Sequence, residues 1–404
     1  MRTLAVMHLS DSGGPPQHVR PWLGYLAAKG TLEVVAPRAG PVLDLYAPLA
    51  RTTVLPYRPL MFPHTPLSAV RLVSRLAAET MMFRRHMRRT RPDLVVVVTA
   101  VLPAAVVAAR LERIPAIVYV GEILGRRFPP SRARAAAGWS VLRLTGRASS
   151  GLVCCSHTVA RQFDGSRCEA VISTAYPGIE PQPLGGDRSR LRRAHGIDEG
   201  DPCLAVVGNI ARGRGQDLVI RALPRIRRTF PTAHCLIAGR PLDHADDLAY
   251  SGELVRLVAD LRLAEAVSFT GFVEAVGDVY AAADIVVNPV RVEEAFGRVA
   301  VEALAAGKPV VAAHVGAIPE VLTDGEHAVL VEPNDPAAIA DAVLRLLEDG
   351  ELRGRLAAQG RAHVMANFTE DAGTGAFARV VDAVLHGNCM RTRRPARPPN
   401  IPRA

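Results

Sequence analysis

Two glutamates eight positions apart, Glu294 and Glu302, are the residues best suited to chemistry in this sequence. The run from Asn288 to Ala303 that holds them predicts a strand, a loop, and then a helix beginning near Gly297. The first turn of a helix leaves backbone N–H groups unpaired, here near Phe296–Arg298, and the helix dipole adds positive potential. That combination suits phosphate oxygens. A diphosphate seated there has a sugar on one side and a ribose on the other. Glu294, in the loop, would accept hydrogen bonds from sugar hydroxyls, and Glu302, inside the helix, from ribose hydroxyls; carboxylates are strong acceptors. The plainer reading is a loop charge and a surface charge. Glu302 fits it poorly, because it sits among Ala, Val and Leu, where an idle charge is costly.

Three other segments contribute. In Val207-Gly208-Asn209 through Gln216 a strand leads into a glycine-rich turn and a helix. The turn is neither a P-loop nor Gly-x-Gly-x-x-Gly. Arg214, between Gly213 and Gly215, could reach a diphosphate and neutralise a leaving group, with the glycines allowing close backbone approach. An ordinary solvated turn is the competing reading. Gly316-Ala317 through Glu320, after another strand, could open a further helix at the same edge. Near the start, Gly13 and Gly14 follow the first strand and could lie under a ligand, or belong to a flexible loop.

The elements that must position these residues alternate between strand and helix over the whole chain, which makes the fold class α/β. Val95–Val98 shows no polar alternation, as expected of a parallel strand buried on both faces. At 404 residues the chain exceeds one core, and the break in rhythm over 181–202 divides it. The expected plan is a first domain over 1–180, a linker over 181–202, a second domain over 203–388 whose last helix could pack back on the first, and a disordered basic tail over 389–404. No stretch is apolar enough for a membrane span and the N-terminus lacks a leader pattern, so a cytoplasmic protein is expected. Six cysteines show no Cys-x-x-Cys or zinc spacing, and no metal site is expected.

Charge is uneven. Residues 1–182 hold 23 Lys+Arg against 10 Asp+Glu, and residues 183–404 hold 26 against 29. A basic first half attracts phosphate-bearing ligands or an anionic membrane face, though arginine-biased composition explains it as well: only Lys29 and Lys308 among the 49 basic residues are not arginine. The helical stretch near Arg71–Arg91, ending in Arg84, Arg85, Arg88, Arg89 and Arg91, is either a surface for an anionic acceptor or membrane, or a solvated helix. Nucleic acid is not an expected partner, since aromatics make up only 5%.

Taken together, Gly208 through Arg214-Gly215, Glu294-Ala295-Phe296-Gly297 through Glu302-Ala303, Gly307-Lys308-Pro309, Gly316 through Glu320, Phe272 and Ala283-Asp284 resemble the family-4 glycosyltransferases. The likeness is strong over 200–350 and weak over 1–180. It implies a GT-B fold, two Rossmann-like domains with parallel sheets facing a central cleft. It also implies a retaining, metal-independent transfer of sugar from a nucleoside diphosphate (a UDP- or GDP-sugar) to an acceptor hydroxyl, with no cofactor. By the resemblance Arg214 and Glu294 are catalytic. The donor site comprises Gly208, Asn209, Arg214, Glu294, Ala295, Phe296, Gly297, Arg298 and Glu302. The acceptor or cleft side comprises Gly13, Gly14, Glu122 and His157. Three departures stand out: Asn209 replaces a second diphosphate-binding Arg, for which Arg212 or Arg298 are the available substitutes; Arg214 replaces the usual Lys; and Ala317 replaces the second Gly of a pair. Gly121-Glu122 occupies the place of a first-domain His, with His157 and His18 the nearest by order. Acceptors left open are a lipid-linked sugar, a polysaccharide precursor or a natural-product aglycone, with peripheral contact at the inner membrane face. The rival readings are a GT-B nucleotide-sugar epimerase and a non-catalytic nucleotide-sugar binder.

Overall fold

The computed structural model describes residues 1–9, 14–60, 66–124, 132–164, 168, 170–179, 186–242 and 244–386. Gly13, the first part of the expected linker and the basic segment 389–404 lie outside the described residues.

The chain forms two compact units, Met1–Gly178 with Glu370–Ala404, and Ile179–Thr369. The first is built on seven strands: β1 Arg2–Val6, β2 Thr31–Ala36, β3 Arg51–Val54, β4 Leu94–Val97, β5 Ala116–Val120, β6 Gly151–Cys154 and β7 Val171–Thr174. All pair in parallel, in the order β3-β2-β1-β4-β5-β6-β7. The central strands β4 and β5 are continuous apolar runs with every residue buried, as a parallel strand between two helix layers requires. The second unit has six: β8 Cys203–Val207, β9 His234–Ala238, β10 Val267–Gly271, β11 Ile285–Asn288, β12 Val310–Ala313 and β13 Val329–Val331, in the order β10-β9-β8-β11-β12-β13 and again parallel. The α/β class and the pair of Rossmann-like parallel sheets expected from the sequence are both present. Two strands escaped the sequence reading, β3 and β7. Each lies at a sheet edge and no residue in either is fully buried, so neither has an apolar run to betray it.

One boundary differs from expectation. The supposed linker contains the helix Arg188–Ala194, which belongs to the second unit. A buried arginine holds it rather than an apolar stripe. The Arg192 guanidinium donates to the carbonyls of Ala282 (2.8 Å), Asp198 and Asp201 (both 2.6 Å), and Arg188 pairs with Asp284 at 2.9 Å. The family-pattern residue Asp284 thus anchors this helix and also accepts the Cys203 N–H at 2.8 Å. At the other boundary, the helix Glu370–Leu385 joins the first unit, where Phe377 stacks on Trp22 with centroids 5.1 Å apart. The compact second unit is thus Ile179–Thr369, with the last helix packed on the first unit, the option the expected plan left open.

No helix among the described residues is long and apolar enough to cross a membrane. The Arg-rich helix Pro66–Thr90 is partly neutralised, since Glu112 accepts from Arg84 at 2.7 Å and Arg88 at 2.8 Å.

Buried histidines tie stability to pH. Burial, then the positive neighbours His195 and Arg227, depress His234 from 6.5 to about 4; burial does the same to His8. In that window the unfolded chain takes up protons that the folded one refuses, so stability falls as pH drops from about 6.5 towards 4. Burial raises Glu122 and Glu79, which act in the opposite sense. The clean measurement is therefore a difference. His234→Gln, which keeps a polar group near Ser268, is expected to lose less stability between pH 7 and pH 5 than the parent in denaturant titrations. Equal losses would remove His234 from the account.

Candidate active site

In the second unit β8 and β11 are neighbours at the centre, with the strand order growing outward in opposite directions from them. A doubly wound sheet binds ligands at the carboxyl ends of its strands at such a switch point. The three segments singled out in this unit, those of Gly208–Gln216, Glu294–Glu302 and Gly316–Glu320, lie at that end.

After β8 the chain passes Gly208 (φ 132°), whose N–H donates to Ala238 O at 2.9 Å, and then Asn209, which is exposed. A short 3-10 turn, Arg212–Arg214, leads through Gly215 into the helix Gln216–Thr229. Gly215 is required by space as well as by its φ of 72°, because a Cβ would lie 2.2 Å from Pro289 O. After β11, the loop reaches Gly297 (φ 93°), the N-cap of the helix Arg298–Ala305, whose amino end has no side-chain cap. That end is the arrangement an anion prefers.

Arg214 reaches from the turn to the loop. Its Nη1 donates to Glu294 Oε2 at 2.7 Å. The two residues given catalytic roles, 80 positions apart, are in direct contact. Glu294 is held from behind by the third segment: Ala317 N–H donates to Glu294 O at 2.8 Å, and Gly316 (φ 58°) packs so closely that a Cβ there would lie 2.3 Å from both Glu294 N and O. Ala317 thus does its work through its backbone.

Glu302 is buried, and both its oxygens are engaged, Oε2 by the Tyr280 hydroxyl at 2.8 Å and Oε1 by Arg298 Nε one helical turn away. Burial, with Glu302 alongside, pushes the Tyr280 phenol well above its ordinary value, so it remains a donor. Glu302 is thus a positioned carboxylate and not a surface charge. Phe296 is a core anchor, set edge-on to Phe368 at 5.7 Å, and Ala295 links it to Glu294. Neither proposed stand-in for Asn209 is uncommitted: Arg212 binds Glu253 at 2.6 Å and lies over the Tyr250 ring, and Arg298 holds Glu302. Phe272 is 70% exposed, with the Arg240 guanidinium 5.5 Å from its ring centroid.

The remaining candidates belong to the first unit. Gly14 opens the helix Gly14–Ala28, which also carries His18. Glu122 follows β5, and its carboxylate accepts from Thr99 Oγ1 (2.6 Å), Ala100 N (2.7 Å) and Gly121 N (3.0 Å). It braces the ends of β4 and β5. His157 begins a single-turn helix capped by Ser156, with Nδ1 3.1 Å from Thr174 Oγ1. Sequence reasoning passed over His8, beside the end of β1, and Tyr280, Arg291 and Asp217 in the second unit. The pairings of Tyr280, Arg291 and Asp217 span 22 to 74 positions and leave no periodic trace.

Two Rossmann-like parallel-sheet units, one bearing a cation, a carboxylate and an uncapped helix start at its switch point, are the architecture of the GT-B class. Residues 187–363 match the family model described as glycosyl transferases group 1, and residues 12–182 match glycosyltransferase family 4. Between them the two models take up most of the chain, which belongs to the family-4 glycosyltransferases. The chain is 36% identical over 220 residues to a D-inositol 3-phosphate glycosyltransferase of Mycolicibacterium gilvum, covering 54% of this chain and 46% of that protein. It is 30% identical over 263 residues to the GDP-mannose-dependent alpha-(1-6)-phosphatidylinositol monomannoside mannosyltransferase of Mycolicibacterium smegmatis, covering 60% and 66%. The match spans about half the length of the first of these relatives. Among solved structures, HepE of Anabaena in complex with UDP-glucose superposes with a TM-score of 0.78 at 21% identity, over 95% of this chain and 100% of that one. Sucrose-phosphate synthase of Thermosynechococcus elongatus gives 0.77 at 20%, over 96% and 100%. Likeness at this identity establishes the GT-B fold.

Proposed function

We propose that the protein is a retaining, metal-independent glycosyltransferase that moves a sugar from a nucleoside diphosphate to an acceptor hydroxyl. The observation that carries this is the Arg214–Glu294 contact of 2.7 Å beside the uncapped helix start at Gly297. In the reaction, the bond between the anomeric carbon and the diphosphate oxygen breaks, and charge gathers on the diphosphate. The diphosphate replaces Glu294 as the partner of Arg214, and the helix start supplies further N–H donors to the same charge. Glu294, released, accepts from the sugar hydroxyls; Glu302 accepts from the ribose. The acceptor oxygen bonds to the anomeric carbon on the face the diphosphate leaves, and its proton passes to the departing diphosphate. No side chain is required as general base, and no step calls for a metal.

UDP- and GDP-sugars are the donors to test first, since HepE was crystallised with UDP-glucose and the M. smegmatis relative is GDP-mannose-dependent. The 23 Lys+Arg against 10 Asp+Glu of residues 1–182 favour an acceptor that carries phosphate, in line with the inositol phosphate and phosphatidylinositol acceptors in the relatives' names. The site of action is the cytoplasm, with the first unit able to approach an anionic membrane face.

A donor at a hundred times its Kd stabilises a protein by about 2.7 kcal/mol. We expect UDP or GDP, and the corresponding sugar nucleotide, to raise the unfolding temperature of the parent protein by several degrees, and Arg214→Ala to remove most of that rise. Chelator should leave turnover unchanged. Failure of every nucleotide to bind, or full binding by Arg214→Ala, would reject this site. Conversion of the donor without any acceptor would favour the epimerase reading instead.

A further inference from the structure

We infer that Arg291, with Asp217, is a positioning brace that keeps the carboxylate of Glu294 in register with Arg214 once the donor has separated them. This rests on the function proposed above.

Arg291 lies in the loop after β11, three residues before Glu294. Its backbone N–H donates to Gly213 O at 2.9 Å, one residue before Arg214. Its Nη2 donates to Asp217 Oδ2 at 2.6 Å, near the start of the helix that follows Arg214. Asp217 is itself fixed: its Oδ1 accepts from the Tyr250 hydroxyl at 2.5 Å, its N–H donates to the Tyr250 hydroxyl oxygen at 3.2 Å, and Arg221 lies 3.7 Å from Oδ2. Side chains of Arg291 and Asp217 are 12% and 13% exposed. An ion pair so nearly enclosed is weakly screened, and removing one partner is costly.

The loop and the turn are thus joined by the Arg291 backbone bond, the Arg291–Asp217 pair and the Arg214–Glu294 pair. A bound diphosphate takes Arg214 and dissolves the third. The Arg291–Asp217 pair stays in place, and it sets where Glu294 stands against the sugar. Arg291 Nε is buried with no hydrogen-bond partner, so a single donor, Nη2, does the work towards Asp217. A lysine can supply one such donor; a methionine fills the same stem without it.

The test compares Arg291→Met and Arg291→Lys with the parent for kcat, donor KM and the calorimetric Kd of the nucleoside diphosphate. Misplacement of a contacting group by a fraction of an ångström lowers turnover on the order of tenfold or more. We expect that loss in kcat for Arg291→Met, with Kd for the nucleoside diphosphate within about twofold because Arg214 and the helix start are intact. Arg291→Lys should recover most of the kcat. A methionine variant with parental kcat, or a lysine variant no better than methionine, overturns the brace. A fall in unfolding midpoint with undiminished kcat of the folded protein would assign Arg291 to stability alone and overturn it too. If the parent itself binds no nucleoside diphosphate, the donor-site reading fails, and the brace with it, through a separate measurement.

Discussion

Glu294→Gln is expected to lower sugar transfer at least about a hundredfold while leaving nucleoside diphosphate binding as tight as before or tighter. The opposite directions follow from the 2.7 Å bond that the Glu294 carboxylate accepts from Arg214. In the parent, a diphosphate must displace a carboxylate to reach the guanidinium. Glutamine is neutral and competes less, so the Kd for UDP or GDP should hold or fall. Transfer suffers because the amide is a weaker acceptor for the sugar hydroxyls and can no longer offset positive charge on the sugar. Loss of one aligned electrostatic contact in a reacting site costs on the order of a hundredfold to a thousandfold in kcat. The fold should persist, because the loop is anchored through its backbone, by Ala317 N–H to Glu294 O. Steady-state kinetics and calorimetry on the purified variant decide the matter. Turnover within threefold of the parent, or a nucleotide Kd weakened in parallel with kcat, would remove Glu294 from the chemistry.

Gly316→Ala is expected to damage both stability and transfer, although Gly316 has no side chain and makes no contact with a ligand in the scheme above. Its φ of 58° is the left-handed region, which costs other residues about 1–2 kcal/mol. The added Cβ would also stand 2.3 Å from Glu294 N and O, backbone atoms that cannot rotate away. Forcing a methyl group into packed structure costs about 1–3 kcal/mol more. The relief available is a shift of the loop, and the loop carries Glu294. A fair control is Gly196→Ala, at a similar φ of 65° but with no atom within 4 Å of the new Cβ, which should show the backbone cost alone. Thermal or denaturant unfolding and transfer assays on the two variants separate the effects. If Gly316→Ala is no worse than Gly196→Ala, the clamp on Glu294 is not real.

The sequence was most informative where function is carried by local backbone. Gly215, Gly297 and Gly316 each occupy a positive φ, and Glu294, Arg214 and Glu302 each sit within a few residues of such a glycine or on the helix that it starts. These short patterns can be read in one dimension. The central strands were equally legible, because burial on both faces writes an unbroken apolar run, as in Leu94–Val97. What escaped was whatever depends on a distant partner. The helix Arg188–Ala194 reads as polar linker because its anchor is one buried guanidinium that finds carbonyls up to 90 residues away. Glu122, placed by position on the acceptor side, has its carboxylate held by Thr99 and Ala100, partners over twenty positions earlier. Gly316 looked weak alone, since the residue it must clear, Glu294, is over twenty positions earlier.

Ile179 and Thr369 form an isolated parallel bridge, and Ile179 N–H donates to Phe368 O at 2.9 Å, so the second unit's entry and exit are adjacent. In genetic order that unit is an insertion inside the first. A ribosome would therefore release Ile179–Thr369 complete while the first unit still waited for Glu370–Leu385, the helix whose Phe377 covers Trp22. Domains ordinarily settle from the N-terminus as they emerge; here the half made first must be the last to close, and a message cut short before Glu370 would yield a finished second unit attached to a partner with its core open.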